Sequence, residues 1–401
     1  MRLLFLCREQ PWRDSTGGTK RNLRLASGLA QDHRVTMVTF SKPGVSRNSA
    51  FDTLARACDD VIEVPLETCV LNQTDRFEDS AAAARRLATL LSTRRPRGVQ
   101  RWRSPAFVEA LRQLRARNHV DAVFASRPPV AEMALEAGFD RVLVDLPDLE
   151  SALMRRKLSH DPWYKSKPID WGECLKLGVY DAMLPARYWR VSVCKEEDRR
   201  FFPSRLRRDV VVIPNGTDEH AATPADAEVR GEILFVGHLS YFPNVDAVLH
   251  FHREILPEIR RSVPEARFRI VGLRPDDAVM ALDNGADCVV DANVENLDPY
   301  YARASIVVVP MRLGAGTKLK VVEALAYGKA LVSTTFGAEG FDLRSGVDLI
   351  TADNPQTFAG ECARLLLDSA ARRTLGASGR ERVLARYSWA AIIREARAAL
   401  E

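Results

Sequence analysis

Short apolar runs alternate with longer stretches of helical periodicity along this chain, and that alternation narrows the fold more than any other feature. Residues 2–7 (RLLFLC), 34–40 (RVTMVTF), 61–65 (VIEVP), 120–125 (VDAVFA) and 141–145 (RVLVD) read as buried strands. Helical stretches at 19–31, 80–92, 105–118 and 130–137 fall between them. A βαβα succession implies a parallel sheet covered by helices on both faces. Strands at 191–194 and 210–213 follow, and then the breaker Pro214-Asn215-Gly216. After it the pattern restarts, with strands at 232–237, 267–271, 287–290, 305–309, 330–333 and 347–350. Helices are expected at 244–262, 295–303, 318–328, 355–367, 370–386 and 389–400. The expectation is an α/β protein of two Rossmann-like, doubly wound domains, 1–215 and 216–385. A last helical segment, 386–401, is expected to pack back on the first domain. Folds of this kind bind ligands outside the carboxyl ends of their strands, here in a cleft faced by both sheets.

Composition excludes several other classes. The 401 residues are 46% hydrophobic and 28% charged, which is ordinary for a soluble globular chain and unlike a disordered or fibrous one. No apolar run is long enough to span a membrane. The N-terminus lacks the long apolar region and cleavage site of a signal peptide, so residues 2–7 are better read as a strand. Seven scattered cysteines without a C-x-x-C pair argue against a disulfide framework or cysteine zinc site and fit a cytoplasmic home. No metal or other cofactor is expected. Residues 1–215 carry 37 Lys and Arg against 27 Asp and Glu, whereas the remainder carries 21 against 26. Ten arginines lie within Arg85–Arg117 among few acids. Such a stripe suits an anionic membrane surface or a phosphate, or is simply a solvated helical face. It has no interleaved aromatics or reading motif, so nucleic acid is not an expected partner.

The strongest local signal runs from Met311 through Arg312, Gly314, Ala315, Gly316, Thr317, Lys318 and Leu319 to Glu323 and Gly328. It follows a strand and opens a helix. Gly314 and Gly316 let a ligand approach the backbone. The amides of Thr317, Lys318 and Leu319 would be unpaired donors at the positive end of the helix dipole, and Lys318 adds a full charge. This arrangement suits a diphosphate, and the Glu323 carboxylate suits the vicinal hydroxyls of a ribose. The spacing is not that of a Walker loop. Gly17 and Gly18, after the first strand, would let a phosphate or sugar pass close to the chain, or form only a turn. Gly237 and His238 end another strand, and a neutral imidazole there can donate to a phosphate or sugar oxygen. Asn244 and Asp246 read as a helix cap. Asp145 and Asp148 end a strand of the first domain and are candidates to position an acceptor hydroxyl or act as a base. Asp148 also fits a helix N-cap.

Taken together, VGHLSYFPNVDAV, VVVPMRLGAGTKLKVVEALAYGKALVSTTFGAEGF and ARYSWAAI resemble the donor domain of retaining GT-B glycosyltransferases, glycosyltransferase family 4. Within it the chain is most similar to bacterial, polysaccharide-associated sugar transferases. The N-terminal strand–GlyGly–helix and VVVIPNGTD agree, whereas residues 65–120 and 151–190 carry little of the likeness. The resemblance implies a UDP- or GDP-sugar donor, an acceptor hydroxyl on a sugar, lipid-linked or small molecule, retention of configuration, and no metal. By matching position, Glu323 would bind the ribose, Lys318 and Leu319 the diphosphate, and Gly17 and Gly18 would line the loop beside the donor phosphate and acceptor. Two departures stand out. Many members carry a glutamate where this chain has Ala315, and Arg and Lys where it has His238, Leu239 and Ser240. Phosphate neutralisation is then expected to fall on Lys318 with Arg312. Alternatives on the same scaffold are an antibiotic-type glycosyltransferase, a nucleotide-sugar epimerase or phosphorylase, and a non-catalytic binding subunit.

Overall fold

The computed structural model describes residues 1–13, 16–42, 44–66, 87, 95–117, 119–160, 163–164, 166–220, 227–314 and 316–401. The expected helix 80–92, apart from Leu87, lies outside the described residues, as do Ala315, Cys69 and Arg85, Arg86 and Arg94 of the basic stripe. The chain divides into two compact units, Met1–Pro214 with Ile392–Glu401, and Asn215–Ala391.

Unit 1 contains β1 (Arg2–Cys7), α1 (Gly17–Leu29), β2 (Arg34–Ser41), α2 (Ser49–Ala57), β3 (Asp60–Pro65), α3 (Arg97–Gln100) and α4 (Pro105–Arg117). It continues through β4 (Ala122–Ser126), α5 (Pro128–Glu136), β5 (Val142–Leu146), α6 (Glu150–His160), α7 (Lys167–Arg187), β6 (Arg190–Val193), α8 (Glu196–Arg199) and β7 (Val210–Val212). The sheet order is β3-β2-β1-β4-β5-β6-β7, and every pairing is parallel. β1, β4 and β5 are buried along nearly their whole length, as expected of central parallel strands covered on both faces. Phe5 stacks on Phe124 of the neighbouring strand at 4.8 Å, and Phe40 packs on Phe107 of α4 at 4.6 Å, so ring contacts tie strand to strand and sheet to helix.

Unit 2 contains β8 (Glu232–His238), α9 (Phe242–His250), α10 (Leu256–Ser262), β9 (Arg267–Leu273), α11 (Asp277–Met280), β10 (Cys288–Ala292), α12 (Asp298–Arg303) and β11 (Ile306–Val309). Then follow α13 (Leu319–Ala326), β12 (Leu331–Ser333), α14 (Thr335–Ala338), β13 (Ile350–Thr351), α15 (Pro355–Leu367) and α16 (Ser369–Tyr387). The order is β10-β9-β8-β11-β12-β13, again all parallel. The final helix, α17 (Trp389–Ala398), passes from one unit to the other in sequence. Its end and the residues after it are held in unit 1: Arg141 Nη2 donates to the Leu400 carbonyl at 2.6 Å, and Arg190 Nη1 to that of Ala399 at 2.6 Å.

The two doubly wound parallel sheets agree with the alternation in the sequence. The differences are local. The helix expected at 244–262 starts at Phe242 and is interrupted by a π-helical turn, Phe251–Ile255, just before Pro257. A wider turn accommodates a residue that has no N–H to donate. Helices α2, α6 and α7 are additions to the expected set. The six described cysteines are all free and buried.

Candidate functional site

In unit 2, β8 and β11 are neighbours although two strands separate them in sequence. The sheet therefore changes winding direction between them, and the loops that follow both strands leave from the same end. Gly237 and His238 end β8, and residues 310–318 follow β11. The topology thus brings together two of the motifs picked out in the sequence.

The loop after β11 is shaped by its glycines. Gly314 has φ +125° and Gly316 φ +61°, in the region that side-chain-bearing residues avoid. α13 then opens with Lys318 as its N-cap. The amides of Leu319 and Lys320 have no carbonyl four residues back within the helix, so they point out of its positive end. Lys318 is buried, with Nζ donating to the Gly316 carbonyl at 3.0 Å and lying 3.8 Å over the Phe336 ring. It braces the glycine loop as well as charging it. Thr317 Oγ1 accepts from Asn215 Nδ2 at 2.8 Å.

Lys320 is a second lysine at the helix start, inside the quoted glycine motif but given no role by the sequence reading. Its Nζ lies 3.8 Å over the Phe235 ring and donates to Asn244 Oδ1 at 2.8 Å, while Asn244 Nδ2 donates to the His238 carbonyl at 2.9 Å. This chain links α13 to the end of β8. Gly237 leaves room for it: a Cβ there would sit 3.0 Å from both Lys320 Nζ and Asn244 Nδ2 and press on both side chains. Asn244 is therefore not the expected cap. Tyr241 takes that position and Pro243 lies in the first turn, leaving the Asn244 amide to face the strand end. His238 Nδ1 is 3.1 Å from Ser240 Oγ. Arg312 forms a two-point ion pair with Asp246, at 2.6 and 3.1 Å. The pair is half-exposed, and such pairs contribute only about 0–1 kcal/mol, so it does not lock Arg312 in place.

Glu323 follows one turn into α13 and is half-buried. Burial is the main cause that raises the Tyr301 and Tyr327 hydroxyl pKa values, and the Glu323 charge adds to both. Tyr327 stacks on Tyr301 at 4.1 Å and on His220 at 3.8 Å, and its hydroxyl donates to Asp298. Burial lowers the Lys320 pKa to about 7; Glu323 opposes that shift and Lys318 reinforces it. Between pH 7 and the ordinary lysine range the unfolded chain holds a proton here that the folded chain lacks, so this group makes stability rise with pH across that window. A bound diphosphate favours the charged amine. A diphosphate compound such as UDP, if held against this amine, would therefore take up a proton above pH 7 and bind more weakly as pH rises to 9. Calorimetry in buffers of different ionisation enthalpy reads this uptake, and Lys320→Met should abolish it.

In unit 1 the winding changes between β1 and β4. Gly17 and Gly18 open α1 behind a capping box, in which Thr19 Oγ1 accepts from the Thr16 amide at 2.9 Å. A Cβ on Gly18 would meet nothing within 4 Å, so its surroundings are open. Asp145 departs from expectation. It is fully buried, Arg21 grips both its oxygens at 2.8 and 2.9 Å, and Ser192 Oγ donates to it at 2.6 Å. Arg21 also donates to the carbonyls of Ile213 and Pro214, at 2.9 and 2.8 Å. A carboxylate engaged this way braces the ends of β5 and β7, with both oxygens already taken by Arg21. Asp148 stands 3.5 Å from Arg127, which also pairs with Glu150 at 3.3 Å and holds φ +85°. Positive φ in a residue with a side chain is strained, and such strain gathers at functional sites.

Part of the basic stripe is already paired: Arg95 with Glu132 at 3.3 Å and Arg103 with Glu136 at 2.7 Å. Arg112, Arg115 and Arg117, with Arg141, line a groove of about 610 Å³. Among the described residues no group of three or more His, Cys, Asp or Glu is placed to hold a metal ion, and no helix is long and apolar enough to cross a membrane.

Residues 230–368, somewhat over a third of the chain, match the family model "Glycosyl transferases group 1". An uncharacterized 44.6 kDa protein in the cps region of Klebsiella pneumoniae is 27% identical over 135 residues; the match spans 32% of this chain and only 35% of that protein. Solved structures share the fold from end to end. Sucrose-phosphate synthase from Thermosynechococcus elongatus superposes with a TM-score of 0.68 at 19% identity, covering 99% of this chain and 97% of that one. Anabaena HepE, in complex with UDP and glucose, gives 0.68 at 14% identity, covering 100% and 99%. S. aureus TarM, solved with UDP and alpha-GlcNAc-glycerol, gives 0.65 at 11% identity, covering 100% and 99%. Residues 230–368 are thus similar to the group 1 glycosyl transferases, and the chain shares the α/β fold of these solved structures.

Proposed function

We propose that this chain transfers a sugar, with retention of configuration, from a UDP- or GDP-sugar to an acceptor hydroxyl, without a metal. The observation that carries the reading is the start of α13. A two-glycine loop at the sheet's switch point delivers two outward amides, two lysines and, one turn on, a carboxylate. In this reading the amides of Leu319 and Lys320 and the ammonium groups of Lys318 and Lys320 hold the diphosphate, and Glu323 holds the ribose hydroxyls. Arg312 can exchange Asp246 for a phosphate oxygen. Gly237 and His238 border the same loop. HepE and TarM, which share the fold, were solved with UDP, in keeping with such a donor.

Bond breaking leaves negative charge on the departing diphosphate, where preorganised cations and amides stabilise it most. The sugar passes through an oxocarbenium-like state. Attack on the face the diphosphate is leaving preserves configuration, and the diphosphate oxygen accepts the acceptor's proton. In unit 1, Gly17 and Gly18 are the candidates to line the loop beside donor phosphate and acceptor, and Asp148, beside Arg127, is the candidate to position an acceptor hydroxyl. The acceptor is a sugar, lipid-linked or small-molecule hydroxyl, and the setting is cytoplasmic polysaccharide or glycolipid assembly.

A thermal-shift panel of UDP, GDP and their sugars tests the donor assignment. A ligand held only by the native state, at 100 times its Kd, adds about 2.7 kcal/mol, enough to move the melting point by several degrees. One nucleotide family should raise it and the other should not, and the anomeric configuration of the product should match that of the donor. A panel without any shift rejects the donor assignment, and an inverted product rejects retention.

A further inference from the structure

The backbone is pinned on both sides of Asn215. Arg21 donates to the carbonyls of Ile213 and Pro214, at 2.9 and 2.8 Å. Two residues further on, the Thr217 amide donates to the Tyr387 carbonyl at 2.8 Å, and the Thr217 carbonyl accepts from the Trp389 amide at 3.1 Å. Asn215 itself is only 7% exposed. A buried side-chain amide is costly unless it is hydrogen-bonded. Here Nδ2 donates to Thr317 Oγ1 at 2.8 Å. Thr317 lies 102 residues away in sequence, between Gly316 and the N-cap Lys318, where the glycine loop meets α13. At the start of the same loop, Thr334 Oγ1 donates to the Met311 carbonyl at 2.5 Å. Side chains from outside thus secure the loop at each end, and Asn215 holds the end that carries the lysines.

The direction of this bond decides what Thr317 can do. An amide nitrogen has only protons to give, so the Thr317 oxygen is the acceptor and its own O–H takes no part in the bond. Among the described residues the Thr317 hydroxyl makes no other hydrogen bond. The residue is half-buried, so its O–H keeps an opening outward. A β-branched side chain has few χ1 wells, and the Asn215 bond selects one of them. Thr317 is followed at once by Lys318 and by the outward amides of Leu319 and Lys320, so its proton joins a set of donors that suit one anion. We propose that Asn215 is a positioning residue: by donating to Thr317 Oγ1 it turns that hydroxyl into a further donor to the diphosphate of the nucleotide ligand. The proposal rests on reading the start of α13 as the diphosphate site and adds the Thr317 hydroxyl to that site's amides and ammonium groups.

The test is titration of the full chain with UDP and GDP, each beside its nucleoside, uridine or guanosine, which lacks the phosphates. Thr317→Val, which keeps the shape and removes the hydroxyl, should weaken diphosphate binding by roughly tenfold to a hundredfold, the range for a hydrogen bond to a charged group. Nucleoside binding should not move, whereas a distorted loop would weaken both. Thr317→Ser keeps the hydroxyl and should stay within about threefold of the wild type, which decides the matter if a variant at Asn215 folds poorly. Asn215→Ala should cost about tenfold, and Asn215→Asp at least as much, because a carboxylate only accepts and draws the Thr317 proton to itself. Combined with Thr317→Val, Asn215→Ala should add little, since the group it positions is already gone. Diphosphate affinity unchanged in Thr317→Val, equal losses for nucleoside and diphosphate, or additive losses in the double variant would overturn the proposal and leave the donor reading standing. A wild type that binds neither UDP nor GDP would overturn both.

Discussion

Lys318→Ala is expected to lower sugar transfer by about 100-fold or more, the scale of losing one charge-stabilising donor. Two contributions disappear together. In the proposed reading the ammonium no longer faces the leaving diphosphate, and the Gly316 carbonyl and Phe336 ring lose the group that fixes the glycine loop. The loss should appear in kcat more than in KM, because charge accumulates on the diphosphate as the bond breaks. Lys318→Arg should recover only part of the loss, since a longer, planar guanidinium replaces a compact point charge in a buried position. A variant with lowered melting point but normal kcat would make Lys318 a structural brace only.

The second large effect is on stability. Asp145→Ala leaves Arg21 charged and buried without its carboxylate, and removing one partner of a buried pair costs about 3–5 kcal/mol. For a unit of this size that lowers the melting point by roughly 6–20 °C. Replacing both residues by apolar ones of similar volume, Arg21→Met with Asp145→Leu, should recover much of the loss. A catalytic base would behave in the opposite way: Asp145→Ala would leave the melting transition in place and abolish turnover.

What the sequence revealed, and what it hid, follows from the range of each interaction. Central strands such as Val142–Leu146 and Ile306–Val309 are buried on both faces, so their composition alone announces them. The glycine loop ahead of α13 was legible because strand, positive-φ glycines and helix start are contiguous. The Lys320–Asn244–His238 chain was not, because it needs β8 and β11 to be neighbours, 76 residues apart at the Lys320–Asn244 bond. Asp145 was correctly placed at a strand end, but its role depends on Arg21, 124 residues away. Helix α7 escaped notice for another reason. Apolar residues occupy its outer stripe while Leu177, Tyr180 and Leu184 fill its inner one, and its acids point inward, so no polar face marks a helical period.

The structure of the protein bound to UDP tests the central claim most directly. The diphosphate should lie within hydrogen-bond distance of the Leu319 and Lys320 amides, with a lysine ammonium against it and the ribose on Glu323. Diphosphate bound elsewhere, with the start of α13 facing only water, would contradict the account.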